Sequence, residues 1–416
     1  MSSLYKSPGV HIESAGDRYI PLERVQTGVC AFLGVTAKGA RNEPTRIGSW
    51  EQYKKLFGDD DSHMAQGVRG FFGNGGTSAY ILNIAPPGGL DPVPDDYIGN
   101  QGVEEHGLRK LERIEDIDLI AAPDLVGQYG KSVGFPERSN ILAVQRAIVD
   151  HCENMHDRFA ILDSPRSLTV DEIVEWRRNF DTSHAALYYP WIKVRIGENV
   201  GEPIPPSGHI AGLFAQCDKR EGVHRAAANV KLEGIVDVAT RLKKRERDHL
   251  FEKQINTLVP FPGRGLRTWG ARTLSSDSQW KQINVRRIFI LVRKSIEIFA
   301  QWVVFEPNEP GLWKKLTRSI DVFLGDLWTE GALLGGAKEE AFYVKCDEET
   351  NPPESRDVGQ LIVEIGISPV RPAEYIVVRI HQFTREHTDA DKETADLEAK
   401  AAEARAAESA RAAAEA

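Results

Sequence analysis

Between Gly28 and Val194, strand-like apolar runs alternate with amphipathic helical segments of about ten residues. That order favours a mainly parallel or mixed sheet with helices on its faces. Residues 29–35 read as a first strand and 50–57 as a short helix opened by Ser49 as N-cap. A helix over 64–72 is followed by a glycine-rich turn and a strand at 79–84. Strands are then expected at 118–122, stopped by Pro123, at 159–163 and at 185–194. Helices are expected at 141–155 and at 170–179, the latter capped by Thr169. The fold class is α/β of a mixed α+β kind.

With 416 residues the chain is long enough for about two domains plus appendages. Its net charge of −9 opposes general binding of nucleic acid or an anionic membrane. Cys30, Cys152, Cys217 and Cys346 are scattered and form no C-x-x-C pair, so buried free thiols are expected. The opening residues Met1 to Lys6 have no apolar core of a secretory signal, and a chain made and folded in the cytoplasm is expected. The longest apolar runs, such as 288–292, fall far short of the roughly 18 residues that span a bilayer.

Candidate reactive sites dissolve on inspection of order and spacing. Gly70-Phe71-Phe72-Gly73-Asn74-Gly75-Gly76-Thr77 has the glycines of a phosphate loop, but a helix precedes it and a strand follows. A phosphate cradle needs the reverse, so a helix C-cap and turn is expected. His151 and His156, five apart on a helix, point about 140° away from each other and cannot share an ion. Asp59, Asp60 and Asp61 lack the spacing of a calcium loop and read as a solvated turn. Cys217 with His209 and His224 makes a nucleophile–base set only by composition, and no G-x-S-x-G elbow is present. No catalytic, cofactor or metal site is expected, and a nucleotide-using or hydrolytic α/β enzyme stands only as a distant alternative.

The C-terminal third is richer in pattern. Residues 285–304 place Ile288, Leu291, Val292, Ile296, Phe299, Trp302 and Val303 on one apolar stripe, and a second helix at 311–328 carries Leu312, Leu316, Ile320, Phe323 and Leu327. Lys314, Lys315 and Arg318 cluster on the outer side of that helix, as a solvated face or as a contact with an acidic partner. Alternating strands are expected at 361–367 and 375–380. In the latter, Tyr375, Val377 and Arg379 oppose Ile376, Val378 and Ile380. At the other end of the chain Val10 and Ile12 oppose His11 and Glu13 in the same manner. A lone strand of this length is unstable, and its unpaired amides and carbonyls readily add to another sheet. Residues 385–416 are mostly Ala, Glu, Arg, Lys and Asp, with Leu397 their single large aliphatic, and read as a solvated tail.

Five of the eight tryptophans fall between Pro262 and Ile380 with no catalytic constellation beside them, which points to a building block. The motifs there are P-G-R-G-L-R-T-W-G-A-R-T-L, Q-W-K-Q-I-N-V-R-R-I-F-I, A-Q-W-V-V-F-E-P-N-E-P-G-L-W and G-D-L-W-T-E-G-A-L-L-G-G. This stretch closely resembles the C-terminal domain of contractile tail sheath proteins of phages and contractile injection systems. The Pro205-Pro206-Ser207-Gly208 turn is also similar to that family, which differs in carrying an aromatic at His224 and a proline at Ala227. The resemblance implies an N-terminal arm (1–24), an outer α/β domain (25–260), an inner tube-facing domain (261–372) and a C-terminal strand arm (373–384), ahead of the tail. It further implies that the two arms pair with strands of neighbouring copies and that Lys314, Lys315 and Arg318 face an inner tube. The implied partners are other copies of the chain, an inner tube protein, a baseplate and a terminal cap, without nucleic acid or membrane insertion. The implied action is contraction of a helical sheath, assembled in the cytoplasm as part of a phage tail or a released tail-like particle. A cap or baseplate adaptor of the same machine is the alternative.

Overall fold

The computed structural model describes residues 21–86, 88, 91–99, 105–127, 137–196 and 199–374. In chain order the first elements are β1 (Cys30–Gly34), β2 (Thr45–Ile47), α1 (Trp50–Phe57), α2 (His63–Gly73), β3 (Ala79–Asn83), α3 (Pro94–Ile98) and β4 (Leu119–Ala121). Next come α4 (Arg138–Met155), β5 (Phe159–Asp163), α5 (Val170–Arg177), β6 (Ala185–Tyr189), β7 (Ile192–Ile196), β8 (Asn199–Ile204), α6 (Ser207–Arg220) and β9 (Ile235–Val238). The rest are α7 (Lys244–Glu252), β10 (Ile255–Phe261), β11 (Gly265–Trp269), α8 (Ile283–Phe299), α9 (Pro310–Thr329), α10 (Lys338–Ala341), β12 (Phe342–Lys345), α11 (Pro353–Asp357) and β13 (Glu364–Ile367).

Eight strands form one sheet in the order β11-β10-β6-β5-β4-β1-β3-β2, parallel from β10 to β3 and closed at both edges by an antiparallel strand. Parallel strands buried on both faces need continuous apolar runs, and CAFLG, FAILD and AALYY are buried at every position. Pleating sends Cys30 and Phe32 to the face covered by α2 and α6, and Ala31 and Leu33 to the face covered by α4 and α5. Ser49 accepts from Gln52 N at the start of α1, and Thr169 with Glu172 forms a reciprocal cap on α5, as expected of both.

Three readings change in detail. Residues 185–194 are two strands, not one: Pro190 lacks an amide donor, and the chain leaves the large sheet there to form a three-stranded sheet, β8-β7-β9. The 285–304 helix is α8 followed by a short 3₁₀ turn at Ala300–Val303. The strand expected from Leu361 begins only at Glu364, because the Asn351 side chain accepts from Ile362 N and donates to Ile362 O, capping the ladder. The 260/261 break expected between domains falls inside the β10–β11 hairpin, where Val259 pairs with Arg267.

Four buried histidines make the body acid-sensitive. Burial holds His63 and His184 down to about 3 and His151 and His209 down to about 4, with neighbouring arginines adding to the effect. An imidazole kept neutral in the fold protonates more readily once unfolded. Its stabilisation is therefore present above the ordinary value near 6.5 and is lost as pH falls toward 3–4. Asp163, raised by burial to about 7, acts oppositely and loses its stabilisation as pH rises through neutrality. Four sites outweigh one, so thermal melts should show a lower Tm at pH 5 than at pH 7.5, a single imidazole contributing up to about 2 kcal/mol. A flat Tm across that interval would contradict this.

Candidate assembly surfaces

The C-terminal layer is built from α8 and α9, whose apolar stripes meet: Ile288, Leu291 and Phe299 pack with Leu316, Ile320 and Phe323. Its junction with the large sheet is ionic and buried. Arg287 of α8 donates to Asp118, just before β4, at 2.6 Å, and to both carboxylate oxygens of Asp218 on α6, at 2.8 and 2.5 Å. Asp118 also accepts from Gly28 N at 2.9 Å. Burial works against the Arg287 charge, but the two carboxylates raise its pKa above the usual guanidinium value; burial raises the Asp218 carboxyl. Lys294 donates to Ile117 O, and Asn284 donates to His224 O and Val370 O. Each bond crosses from the helical layer to the body or to the final described segment, so α8 is fixed to the sheet rather than resting on it.

Beside this joint, β12 and β13 form a sheet of two strands among the described residues. Two strands alone are marginal, and each here presents an edge without a strand partner among the described residues. An apolar cavity of about 700 Å³ adjoins them, lined by Ile296 and Phe299 of α8, Leu312 and Leu316 of α9, and Val363 and Ile365. It continues past Ile296 and Ile365 into a second hollow of about 390 Å³ beside Phe289 and Ile367. Exposed apolar side chains lie at its mouth: Val304 is more than half exposed and Phe305 wholly so. A groove with open strand edges and an apolar floor suits an extended segment with alternating apolar side chains. The strand-patterned segments Val10, His11, Ile12, Glu13 and Tyr375, Ile376, Val377, Val378, Arg379, Ile380 lie outside the described residues.

Lys314 and Arg318 are exposed on α9 and Lys315 is half-buried, and none of them has an ion-pair partner among the described residues. The buried Arg287 triad escaped sequence reading. Its members lie 69 and 169 positions apart, and nothing local marks Arg287 rather than Arg286 as inward-facing.

The positions first weighed for chemistry are accounted for by packing. In an open parallel sheet a ligand would enter between the C-terminal ends of β1 and β4, where the strand order reverses. There the fully buried Asp124 carboxylate accepts from Val35 N at 3.0 Å and from Met64 N, in the first turn of α2, at 2.9 Å. The protein's own carboxylate takes the place an anionic ligand would occupy. The glycine-rich stretch ends α2 with Asn74 at its cap and Gly75 at φ +101°. His151 meets Arg158 while the His156 ring faces His184, so the two do not converge. Burial raises the Cys217 thiol to about 11, the wrong direction for a nucleophile. Cys30, Cys152 and Cys217 are buried free thiols, and Cys346 is half-buried and free. Among the described residues no cluster of three or more His, Cys, Asp or Glu is placed to hold a metal, and no helix is long and apolar enough to cross a membrane.

Residues 118–274 match the model of the phage tail sheath protein central domain, and residues 275–383 match that of the phage tail sheath C-terminal domain. The chain is 31% identical over 353 residues to the tail sheath protein of Vibrio phage KVP40, covering 77% of this chain and 50% of that one. It spans only about half the length of the curated relatives it matches. Among solved structures, a chain of the anti-feeding prophage baseplate is 30% identical with a TM-score of 0.69, covering 92% of this chain and all of that one. A chain of the anti-feeding prophage helical sheath in its contracted state is 29% identical with a TM-score of 0.71, covering 91% and 100%. Both family models match in succession and the fold aligns over the full length of those solved chains, so this chain belongs to the phage tail sheath protein family.

Proposed function

We propose that the chain is a structural subunit that polymerises helically around an inner tube and contracts to drive that tube through a target envelope. The observation that carries this reading is the unfinished β12–β13 sheet with its apolar groove, a surface that needs strands from elsewhere. The arms at residues 10–13 and 375–380 have the required alternation and would join neighbouring copies through backbone hydrogen bonds. Such links hold register while leaving body orientation free. The ionic joint at Arg287 makes layer and body move together, so contraction would proceed by rotation of whole subunits into a second packing of lower free energy. Even a few kcal/mol per subunit, summed over hundreds of copies, supplies a large driving force. The action is mechanical and calls for no active site.

Similarity to chains from a helical sheath and from a baseplate supports self-association and a baseplate end; a cap would close the other end. Assembly in the cytoplasm, as part of a tail or of a released tail-like particle, follows from the same reading. Lys314, Lys315 and Arg318 are the proposed grip on the tube: two exposed cations and one half-buried, without an ion-pair partner among the described residues, on a chain of net charge −9. Reversing all three to glutamate is expected to yield sheaths that lose their tube during purification, scored by electron microscopy of co-expressed particles. Normal sheath-on-tube particles from that variant would refute the tube-facing assignment.

A further inference from the structure

On the side of the large sheet covered by α2 and α6 lies a cleft of about 450 Å³ that the assembly reading leaves unused. His209, in the first turn of α6, lines it while only 4% exposed, and its Nδ1 is buried without a hydrogen-bond partner. The imidazole lies directly over Gly70, where a Cβ would stand 2.2 Å from the ring, so only glycine admits it. Gln66, one turn earlier on α2, is 6% exposed, lines the same cleft and makes no side-chain hydrogen bond among the described residues. Two polar side chains more than nine-tenths buried thus line one hollow without a side-chain hydrogen bond among the described residues.

Two arginines and one glutamate supply the charges that line the cleft. Arg69 and Arg195 stand exposed at the rim with no carboxylate partner among the described residues. The acid beside them, Glu233, is engaged by Lys231 at 2.9 Å. Asn74 fixes the frame, donating to Gly70 O at 2.9 Å and Glu233 O at 3.2 Å while accepting from Glu233 N at 2.8 Å. The carbonyls ending α2, those of Gly70, Phe71 and Phe72, are taken by the amides of Asn74, Gly75 and Gly76. They therefore do not compete for the donors above them. Burial, and then the Arg69 charge, keep the imidazole neutral, so it can present an N–H without adding charge.

We propose that this cleft binds an oxyanion, a carboxylate or phosphate group, held by the guanidiniums of Arg69 and Arg195 and by donors from Gln66 and His209. Guanidinium forks match both groups in geometry, and the buried donors complete their coordination. The group comes either from a small free anion or from an acidic side chain of a second copy packed against this face. This site is separate from the strand-accepting groove and stands whether or not the sheath reading does.

The test is a histidine-selective NMR titration of the full chain at neutral pH and constant ionic strength, adding inorganic phosphate in one series and glutarate in another. A saturable displacement of the His209 resonance by either probe is expected, weakened roughly tenfold or more in the Arg69→Ala/Arg195→Ala variant. Both arginines are exposed, so that variant should keep its fold. Where a neighbour's carboxylate is the natural occupant, phosphate also slows polymerisation followed by light scattering; where a free anion is, polymerisation is unchanged or faster. No saturable shift with either probe, or equal affinity in the double variant, would overturn the proposal.

Discussion

Arg287→Ala is expected to destabilise the soluble subunit by about 3–5 kcal/mol, enough to unfold many single-domain proteins. The reason is asymmetry of charge. Arg287 is 4% exposed and is the shared partner of Asp118 and Asp218, which are themselves buried. Removing it leaves two carboxylates close together in a low dielectric with no cation between them. Asp218→Asn should cost far less, because Arg287 keeps Asp118 and the surplus negative charge disappears. Urea denaturation of the two variants against the parent measures the difference. Arg287→Ala within about 1 kcal/mol of the parent would show that the joint does not hold the C-terminal layer to the sheet.

Loss of either arm is expected to abolish long polymers while leaving a soluble, folded body. Deleting residues 1–20 or residues 373–416 removes a segment patterned as a strand but leaves untouched the buried clusters that stabilise the fold. Deleting only 388–416 should leave assembly intact, since that segment has one large aliphatic, Leu397, and no apolar stripe to dock. Ile365→Asp attacks the other partner, placing a charge where the two apolar hollows meet. It should reproduce the arm-deletion phenotype with both arms present. Melting curves confirm the folded body, and negative-stain images count the tubes. Normal tubes from both arm deletions would sink strand exchange as the linking mechanism.

How much of this was legible in the sequence depends on how local each cause is. Ser49 and Thr169 are caps because their oxygens reach amides three residues on, and such signals sit inside one turn of helix. The stripes of α8 and α9 repeat at helical spacing and were readable for the same reason. The parallel sheet was implied by strand–helix alternation, though its edges were not. β2 is three residues long, and β11 lies in a stretch whose tryptophan and glycines draw attention to motif rather than to pairing. What stayed hidden depends on distant partners. Asn351 ends the β13 ladder from 11 residues away, and Pro190 reads as a minor interruption until β7 is seen pairing with β8 and β9. Arg287 and the His209 cleft are further cases. A charged residue beside an apolar stripe and a histidine in a glycine-flanked helix look ordinary until the fold brings Asp118, Asp218, Gly70 and Gln66 to them.

The most direct test of a self-polymerising sheath subunit is electron microscopy of the purified full-length chain, alone and co-expressed with a candidate tube protein from the same source. Long helical tubes with a regular repeat, wider where an inner tube is retained, are expected. Uniformly dispersed single subunits, or discrete closed rings that never extend, would contradict it.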